Sequence, residues 1–275
     1  MFEKSLSDIV IGIKGAGEMA SAVALRLYMA NFMNIFMMEV PDPLAVRRRV
    51  SFCEAVHDGT QTVENVTGVR AEDADQVKAV WQTRRIPVLI DPQWTMIGRL
   101  EPDVVIDAIL AKKNLGTDMD EARLVIGLGP GFSAGEDVHL VIETNRGHHL
   151  GRIITRGPAA PNTGVPGNIG GYTRQRILRA PATGRFVSLR DIGDLLKAGD
   201  IVGTVAKAKV RVEINGILRG LIRTGTDVSE GLKLGDIDPR GDVAHCLTIS
   251  DKARAIGGSV LEAVLRTFMA PRSFF

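Results

Sequence analysis

The sequence predicts the α/β class: a parallel sheet covered by helices, followed by a smaller β domain made from two copies of one unit. Three observations carry this expectation. Short apolar, β-branched runs alternate with stretches of helical periodicity through the first 150 or so residues. A glycine turn, Gly15-Ala16-Gly17, closes the first apolar run and opens the first helical one. Four glycines then recur at a constant offset of 32 between residues 180 and 238.

Taken in order, Ile9-Val10-Ile11-Gly12-Ile13 reads as a buried parallel strand. Ala20, Val23, Ala24 and Leu27 give the next stretch one apolar helical face. Ile35–Met38 is a second strand, ending in Glu39, and Pro41 and Pro43 break the chain after it. Further strands are expected at 86–90, 103–106, 124–128 and 138–142, with helices at 44–56 and 73–84 between them. Residues 157–171 hold three prolines and five glycines, a linker composition. In the repeat, Gly184, Gly193, Gly199 and Gly203 pair with Gly216, Gly225, Gly231 and Gly235, while Phe186, Leu189 and Leu196 pair with Leu218, Leu221 and Val228. Two copies packed about a pseudo-twofold axis explain this register. A last helix is expected near 251–268. The expected domains are 1–156, a linker at 157–179, the duplicated β domain at 180–240 and a helical segment at 241–275.

Composition narrows the function classes. A net charge of +2, with acids and bases interspersed among the 275 residues, does not call for nucleic acid or an anionic membrane as partner. The two cysteines, Cys53 and Cys246, form no disulfide framework and have no metal-ligand spacing. Glu3 and Asp8 precede the first apolar run, and Arg26, Asn31 and Asn34 interrupt residues 19–40, so neither a signal peptide nor a bilayer span is expected. The chain reads as cytoplasmic, with homo-oligomerisation left open.

Gly15-Ala16-Gly17-Glu18-Met19-Ala20 matches G-x-G-x-x-G/A between a strand and a helix, the phosphate-binding turn of a Rossmann-like domain. The first glycine permits the turn, the second lets a diphosphate approach the backbone, and Ala20 lets the helix pack closely. A phosphate there would meet the free N–H groups of the helix start. Gly15, Ala16, Gly17, Glu18 and Met19 are therefore the expected cofactor-binding residues. Glu39 joins them, placed to bond both ribose hydroxyls of an adenosine. Its charge would repel a 2′-phosphate, which favours NAD or another adenine nucleotide over NADP.

Three further groups are candidates. Asp107, Lys112, Lys113 and Asn114 follow a strand end, where the crevice of an open α/β sheet lies, and could hold an anionic group. The stretch 127–152 mixes glycines with polar residues, and Glu143 and His148 are its candidates for general acid–base work. Asp107, Lys112, Glu143 and His148 are thus the expected catalytic set, with no metal. Arg47-Arg48-Arg49 reads either as a solvated helix face or as an anion clamp. Arg240, His245, Asp251, Lys252 and Arg254 precede the last helix, which Ser250 or Asp251 could cap.

Several of these motifs are shared with a known family. Gly-Ala-Gly-Glu-Met-Ala (15–20), Val-Ser-Phe-Cys-Glu-Ala-Val (50–56), Asp-Ala-Ile-Leu-Ala-Lys-Lys-Asn (107–114), Gly-Leu-Gly-Pro-Gly-Phe (127–132), Glu-Thr-Asn-Arg-Gly-His (143–148), Gly-Asp-Ile-Asp-Pro-Arg (235–240) and Ile-Ser-Asp-Lys-Ala-Arg-Ala-Ile-Gly-Gly (249–258) resemble the YqeB family from near residue 9 to about 265. The resemblance implies an accessory protein of selenium-dependent molybdenum hydroxylases, active in maturing their molybdenum cofactor. It supplies no established catalytic residues. The duplicated segment is similar to a biotinyl/lipoyl-type barrel-sandwich domain, in which a hairpin lysine bears the prosthetic group. Here the hairpin reads Val205-Ala206-Lys207-Ala208-Lys209, without the flanking methionines of a biotinyl lysine or the acidic context of a lipoyl one.

These readings leave three functions open. The chain could modify a nucleotide or the molybdopterin cofactor at the turn, in partnership with a selenium-dependent molybdenum hydroxylase. It could carry that cofactor without chemistry. It could also be an NAD-dependent oxidoreductase. For chalcogen transfer, Cys53 is the better placed of the two cysteines.

Overall fold

A computed structural model describes residues 5–269, so Glu3 lies outside the described residues. The chain divides into two compact units. Among the described residues, the first comprises 5–43, 51–162 and 249–269, and the second 44–50 and 163–248.

The first unit is built on a nine-stranded sheet. In chain order its elements are β1 (Val10–Lys14), α1 (Glu18–Met29), β2 (Asn34–Glu39), α2 (Ala55–Asp58), β3 (Thr60–Val63), β4 (Val66–Ala71), α3 (Ala74–Gln82), β5 (Ile86–Ile90), α4 (Thr95–Leu100), β6 (Val104–Asp107), β7 (Leu124–Leu128), β8 (Ser133–Ala134), β9 (Leu140–Ile142), β10 (Ile153–Ile154) and β11 (Gly157–Pro158). The strand order is β10-β9-β7-β6-β1-β2-β5-β4-β3, with β8 and β11 paired separately. β1 is paired in parallel with β2 on one side and β6 on the other. The chain therefore builds outward from β1 in one direction and then returns to build in the other. Ile11, Ile13, Ile35, Met37, Val105 and Ile106 are fully buried along these central strands, as unbroken apolar runs require when both sheet faces are covered.

The sheet is mixed, and this corrects the expected Rossmann-like parallel sheet. β3 is antiparallel to β4, and β10 is antiparallel to β9. Glu64 and Asn65, both at positive φ (45° and 71°), make a two-residue turn between β3 and β4. So short a connection can join only antiparallel strands.

The helix expected at 44–56 is broken as well. Short 3-10 turns occupy Arg48–Val50 and Phe52–Glu54, and α2 is one turn long. The Phe52 amide donates to Ser21 Oγ (2.8 Å) and the Cys53 amide to the Ala16 carbonyl (2.9 Å), so neither amide is spent on a helical ladder. At the far end of the chain, α6 (Asp251–Met269) packs on α1 within the first unit. Its buried residues Ala253, Ile256, Gly257, Val260, Ala263 and Val264 form one apolar face. A Cβ at Gly257 would lie 2.9 Å from the Ala22 carbonyl oxygen, so the glycine permits the close approach. Ser250 Oγ accepts from the Ala253 amide at 3.3 Å and caps this helix.

The second unit contains β12 (Ile177–Arg179), β13 (Gly184–Ser188), β14 (Leu195–Leu196), β15 (Ile201–Val205), β16 (Ala208–Arg211), β17 (Gly216–Leu221), β18 (Asp227–Val228), β19 (Lys233–Asp238) and the one-turn helix α5 (Ala244–Leu247). Two four-stranded antiparallel sheets have the orders β12-β19-β17-β14 and β16-β15-β13-β18. The 32-residue repeat is visible in this exchange. Each sheet takes its two central strands from one copy and its two edge strands from the other. Phe186 and Leu218, Leu196 and Val228, and Val202 and Leu234 are repeat pairs buried in one common core. The repeat fails at Leu189, which is 63% exposed while its counterpart Leu221 is buried.

The expected biotinyl/lipoyl-like barrel-sandwich domain is likewise corrected. The strands form two open antiparallel sheets, and no ladder joins their edges into a barrel among the described residues. Lys207 lies with Ala206 in a tight turn between β15 and β16, at φ 72° and 47°.

Candidate functional site

The carboxyl ends of the parallel strands in the first unit gather most of the residues expected to function. β1 ends in Lys14, which is fully buried, and Gly15 turns the chain at φ +88°. The Gly15 amide donates to the Met38 carbonyl at 2.7 Å, tying the turn to the end of β2. A Cβ on Gly15 would come within 3.3 Å of the Ile109 backbone, so the loop after β6 presses on the turn. The Ala16 amide donates to Glu39 Oε1 (2.9 Å), and its carbonyl accepts from the Cys53 amide and Ser21 Oγ. Gly17 is the N-cap of α1 in extended conformation, and no side chain caps the helix. A Cβ built there meets nothing within 4 Å. The amides of Glu18 and Met19 follow in the first turn of α1, where a helix supplies no acceptors of its own.

Glu39 is therefore fixed by two amides, Ala16 at Oε1 and Val40 (2.8 Å) at Oε2. Burial pushes its carboxyl above the ordinary range, and these two amides oppose the shift.

Behind the turn lies a buried chain that sequence reasoning missed. Lys14 and Asp107 are register partners across β1 and β6. Lys14 Nζ donates to Thr117 Oγ1 (2.8 Å) and to Glu121 Oε1 (2.6 Å), and Thr117 Oγ1 donates to Asp107 Oδ2 (2.7 Å). Asp107 Oδ1 accepts from the Ile109 amide. The Lys14 ammonium lies 5.5 Å from the Trp94 ring centroid. Burial raises the carboxyls of Asp107 and Glu121, and Lys14 opposes the rise in both. Asp107 is thus held inside this network.

The loops after β6, β7 and β9 close against one another. At Gly131 (φ +114°) a Cβ would sit 2.6 Å from the Lys113 amide nitrogen, and at Gly129 it would collide with Thr144 Oγ1. Leu110 and Lys112 hold left-handed backbone at φ 61° and 64°, a strained state for non-glycine residues that clusters at functional sites. The Lys112 side chain itself is exposed. Glu143 is buried, with Oε1 accepting from the Asn145 amide (2.7 Å) and Oε2 from the Ala160 amide (2.8 Å). Residues 157–160 therefore belong to the sheet unit: β11 pairs with β8, and Ala160 bonds Glu143.

His148 is exposed, its ring edge-on to His149 at 5.0 Å. Arg146 makes a bidentate pair with Asp251 at the start of α6, both bonds 2.8 Å. Burial lowers the Lys252 ammonium; the charge of Arg146 adds to this, while Glu18, Glu143 and Asp251 oppose it. Lys252 thereby stands in the field of both the glycine turn and the 143–146 loop. Of the four expected catalytic residues, Asp107 and Glu143 are buried and fully engaged, and Lys112 and His148 are on the surface. His139 Nδ1 accepts from the Val125 amide (3.0 Å), and the described residues contain no group of three metal-ligating side chains.

The arginine run belongs to the second unit. Arg47 Nη2 donates to the carbonyls of His245 (2.8 Å) and Thr248 (2.9 Å), and Arg48 Nε donates to Leu221 (2.7 Å). Arg49 pairs with Asp191. In the same unit, Arg240 and Arg219 overcome burial at Asp238 and hold its carboxyl at about 2. Both cysteines are buried, and burial pushes the Cys246 thiol up in spite of Arg47 and Arg219. Buried thiols of this kind are poor nucleophiles.

No protein-family profile matches the chain. Among solved structures, it is similar to a succinylglutamate desuccinylase/aspartoacylase from Rhodobacter sphaeroides (13% identity, 50% of this chain and 58% of that one, TM-score 0.22). It is also similar to an aspartoacylase family protein from Mesorhizobium loti (10%, 74% and 55%, TM-score 0.25) and to the ectoine utilization protein EutE (DoeB) from Ruegeria pomeroyi (10%, 84% and 57%, TM-score 0.23). At these TM-scores the likeness assigns neither fold nor activity. Among the described residues, no helix is long and apolar enough to cross a membrane. Among curated proteins, the chain matches one named "Uncharacterized protein YqeB" from Escherichia coli (strain K12), 49% identical over 256 residues. The match covers 93% of this chain and 47% of that protein, so the chain spans about half the length of the curated relative it matches. The motif resemblance thus has a counterpart in sequence: nearly all of this chain is similar to YqeB.

Proposed function

We propose that the turn from Gly15 to Met19 binds a phosphate group of a nucleotide-type ligand, and that the protein holds this ligand rather than transforming it. One observation supports the site above the others. The space in front of Gly17 is open, while the neighbouring glycines Gly15, Gly129 and Gly131 are packed against backbone or side chain. Room for a phosphate therefore coincides with the amides that open α1 and with the start of a twelve-residue helix dipole. β1, between β2 and β6, is also where the sheet reverses its direction of growth, the usual crevice of an open α/β sheet. Glu39, steadied by two amides, retains lone pairs for the hydroxyls of a ribose.

Holding is favoured over chemistry by the state of the candidate catalytic groups. Asp107 and Glu143 are buried, with each carboxylate oxygen accepting a hydrogen bond, whereas Glu39 is only half-buried. Lys112 and His148 are exposed. The motif resemblance supplies the biological setting: an accessory protein in maturation of the molybdenum cofactor of selenium-dependent molybdenum hydroxylases. That cofactor's phosphate suits the same amides, and the turn and Glu39 would hold it or an adenine nucleotide such as NAD.

Titration of the purified protein with NAD, ATP, CTP and the molybdenum cofactor tests the reading. Saturable binding of one of them without turnover supports it. Hydride transfer from NADH would instead make the protein an oxidoreductase, and an absence of binding by all four would remove the proposal.

A further inference from the structure

The geometry points to a second anion site, in the duplicated unit: a cavity on its pseudo-twofold axis that takes a diphosphate group. The cavity has a volume of about 630 Å³. Arg174, Arg179, Lys209 and Arg211 line it with a single carboxylate, Glu213, and Ile177 and Val210 provide apolar surface. It touches β12 and β16, the outer strands of the two four-stranded sheets and equivalent members of the repeat.

The repeat relates the key side chains. Arg179 and Arg211 are 32 residues apart, and so are the glycines that hold them. Arg179 Nη1 donates to the Gly231 carbonyl at 2.8 Å, and Arg211 Nη1 donates to the Gly199 carbonyl at 2.9 Å. Each guanidinium is anchored through one N–H by the same bond in the two copies. The remaining donors of each fork are suited to bidentate contact with phosphate or carboxylate oxygens. Two matched forks call for a ligand with two anionic groups. Four cations against one carboxylate leave three positive charges, close to the charge of a diphosphate near neutral pH and above the two of a dicarboxylate. The volume lies within the ordinary range for small-molecule sites. The diphosphate could be free or carried on a nucleoside, and both present the same oxygens to the arginines.

The site is independent of the glycine turn, and the full-length protein can be tested for each separately. Inorganic pyrophosphate and ADP are titrated by calorimetry into Gly17→Val, in which the turn is blocked, and into Gly17→Val carrying Arg179→Gln/Arg211→Gln as well, with far-UV circular dichroism as the fold control. We expect Gly17→Val to bind pyrophosphate, and the Kd to rise at least tenfold when Arg179→Gln/Arg211→Gln is added to it. A tighter Kd for ADP than for pyrophosphate marks a nucleoside-borne diphosphate, and equal values mark the free anion; either order supports the site if the added arginine changes weaken both. Should that variant misfold, Arg174→Gln/Lys209→Gln on the same Gly17→Val background leaves both anchored arginines in place and should raise the Kd several-fold. Failure of Gly17→Val to bind pyrophosphate at millimolar concentration, or undiminished affinity in the folded charge variants built on it, would each overturn the proposal.

Discussion

The Ala16 amide donates to Glu39 Oε1 across 2.9 Å, so the carboxylate that ends β2 is fastened to the turn that follows β1. Glu39 thereby has two jobs, fixing the turn and presenting its free lone pairs to a ligand. Glu39→Ala should weaken adenosine ligands about tenfold and cost about 1.5–3 kcal/mol of stability, the usual worth of a hydrogen bond to a charged group. Parallel ligand titration and urea unfolding check both effects. Unchanged values in both would remove Glu39 from the site.

Lys14 bonds Glu121 directly and reaches Asp107 through Thr117, so one ammonium serves two carboxyls. Lys14→Met should leave the buried Asp107 and the half-buried Glu121 without their counter-charge and cost about 3 kcal/mol. Adding Asp107→Asn and Glu121→Gln should restore part of the loss. Denaturant midpoints of the single and triple variants give the comparison, and no recovery in the triple variant would show that packing around Lys14 matters more than its charge.

Much of the first unit was legible because its central strands are unbroken apolar runs. The expected strand at 86–90 coincides with β5, and that at 124–128 with β7. Asp107 was legible from its position after a strand, since a carboxylate at a carboxyl end has few structural reasons to be there. Lys14 was not, because a lysine after an apolar run reads as the edge of solvent, and Thr117 and Glu121 lie more than a hundred residues later in the chain. The segment 44–56 has helical periodicity, yet its amides bond Ser21 and Ala16, and tertiary partners override local propensity. The repeat announced its matched glycines but not the exchange of edge strands between copies, which depends on pairing between distant residues.

Gly131 and Gly17 should respond differently to alanine. At Gly131 a methyl group meets the Lys113 amide at 2.6 Å and the backbone is left-handed, so Gly131→Ala should cost about 1–3 kcal/mol. Gly17→Ala faces open space at φ −69° and should cost roughly 1 kcal/mol or less, as a poorer helix cap. Thermal unfolding of the two variants side by side makes the comparison. Equal losses would mean that the loops after β6 and β7 can part without penalty.

Two acids give opposite slopes of stability with pH. Asp238 has a folded value of about 2 against an ordinary 3.8, so its contribution is complete above about 3.8 and is lost as pH falls through 2. Asp238→Asn should flatten stability in that acid window. Glu39 is raised, so the folded state binds its proton more tightly and stability declines as pH climbs from 4.5 through the folded value. Glu39→Gln should flatten that decline. Urea midpoints measured between pH 2 and 7 distinguish the two, and a profile unchanged in both variants would contradict the assignments.

The central claim, that amides opening α1 receive a phosphate, is tested most directly by following those amides. In ¹⁵N-labelled protein titrated with NAD and with the molybdenum cofactor, the Gly17, Glu18 and Met19 resonances should shift and saturate with one of the two, and Gly17→Val should abolish the shift while leaving the protein folded. Saturable binding of either ligand that leaves those three resonances in place, or equal affinity in Gly17→Val, would contradict it.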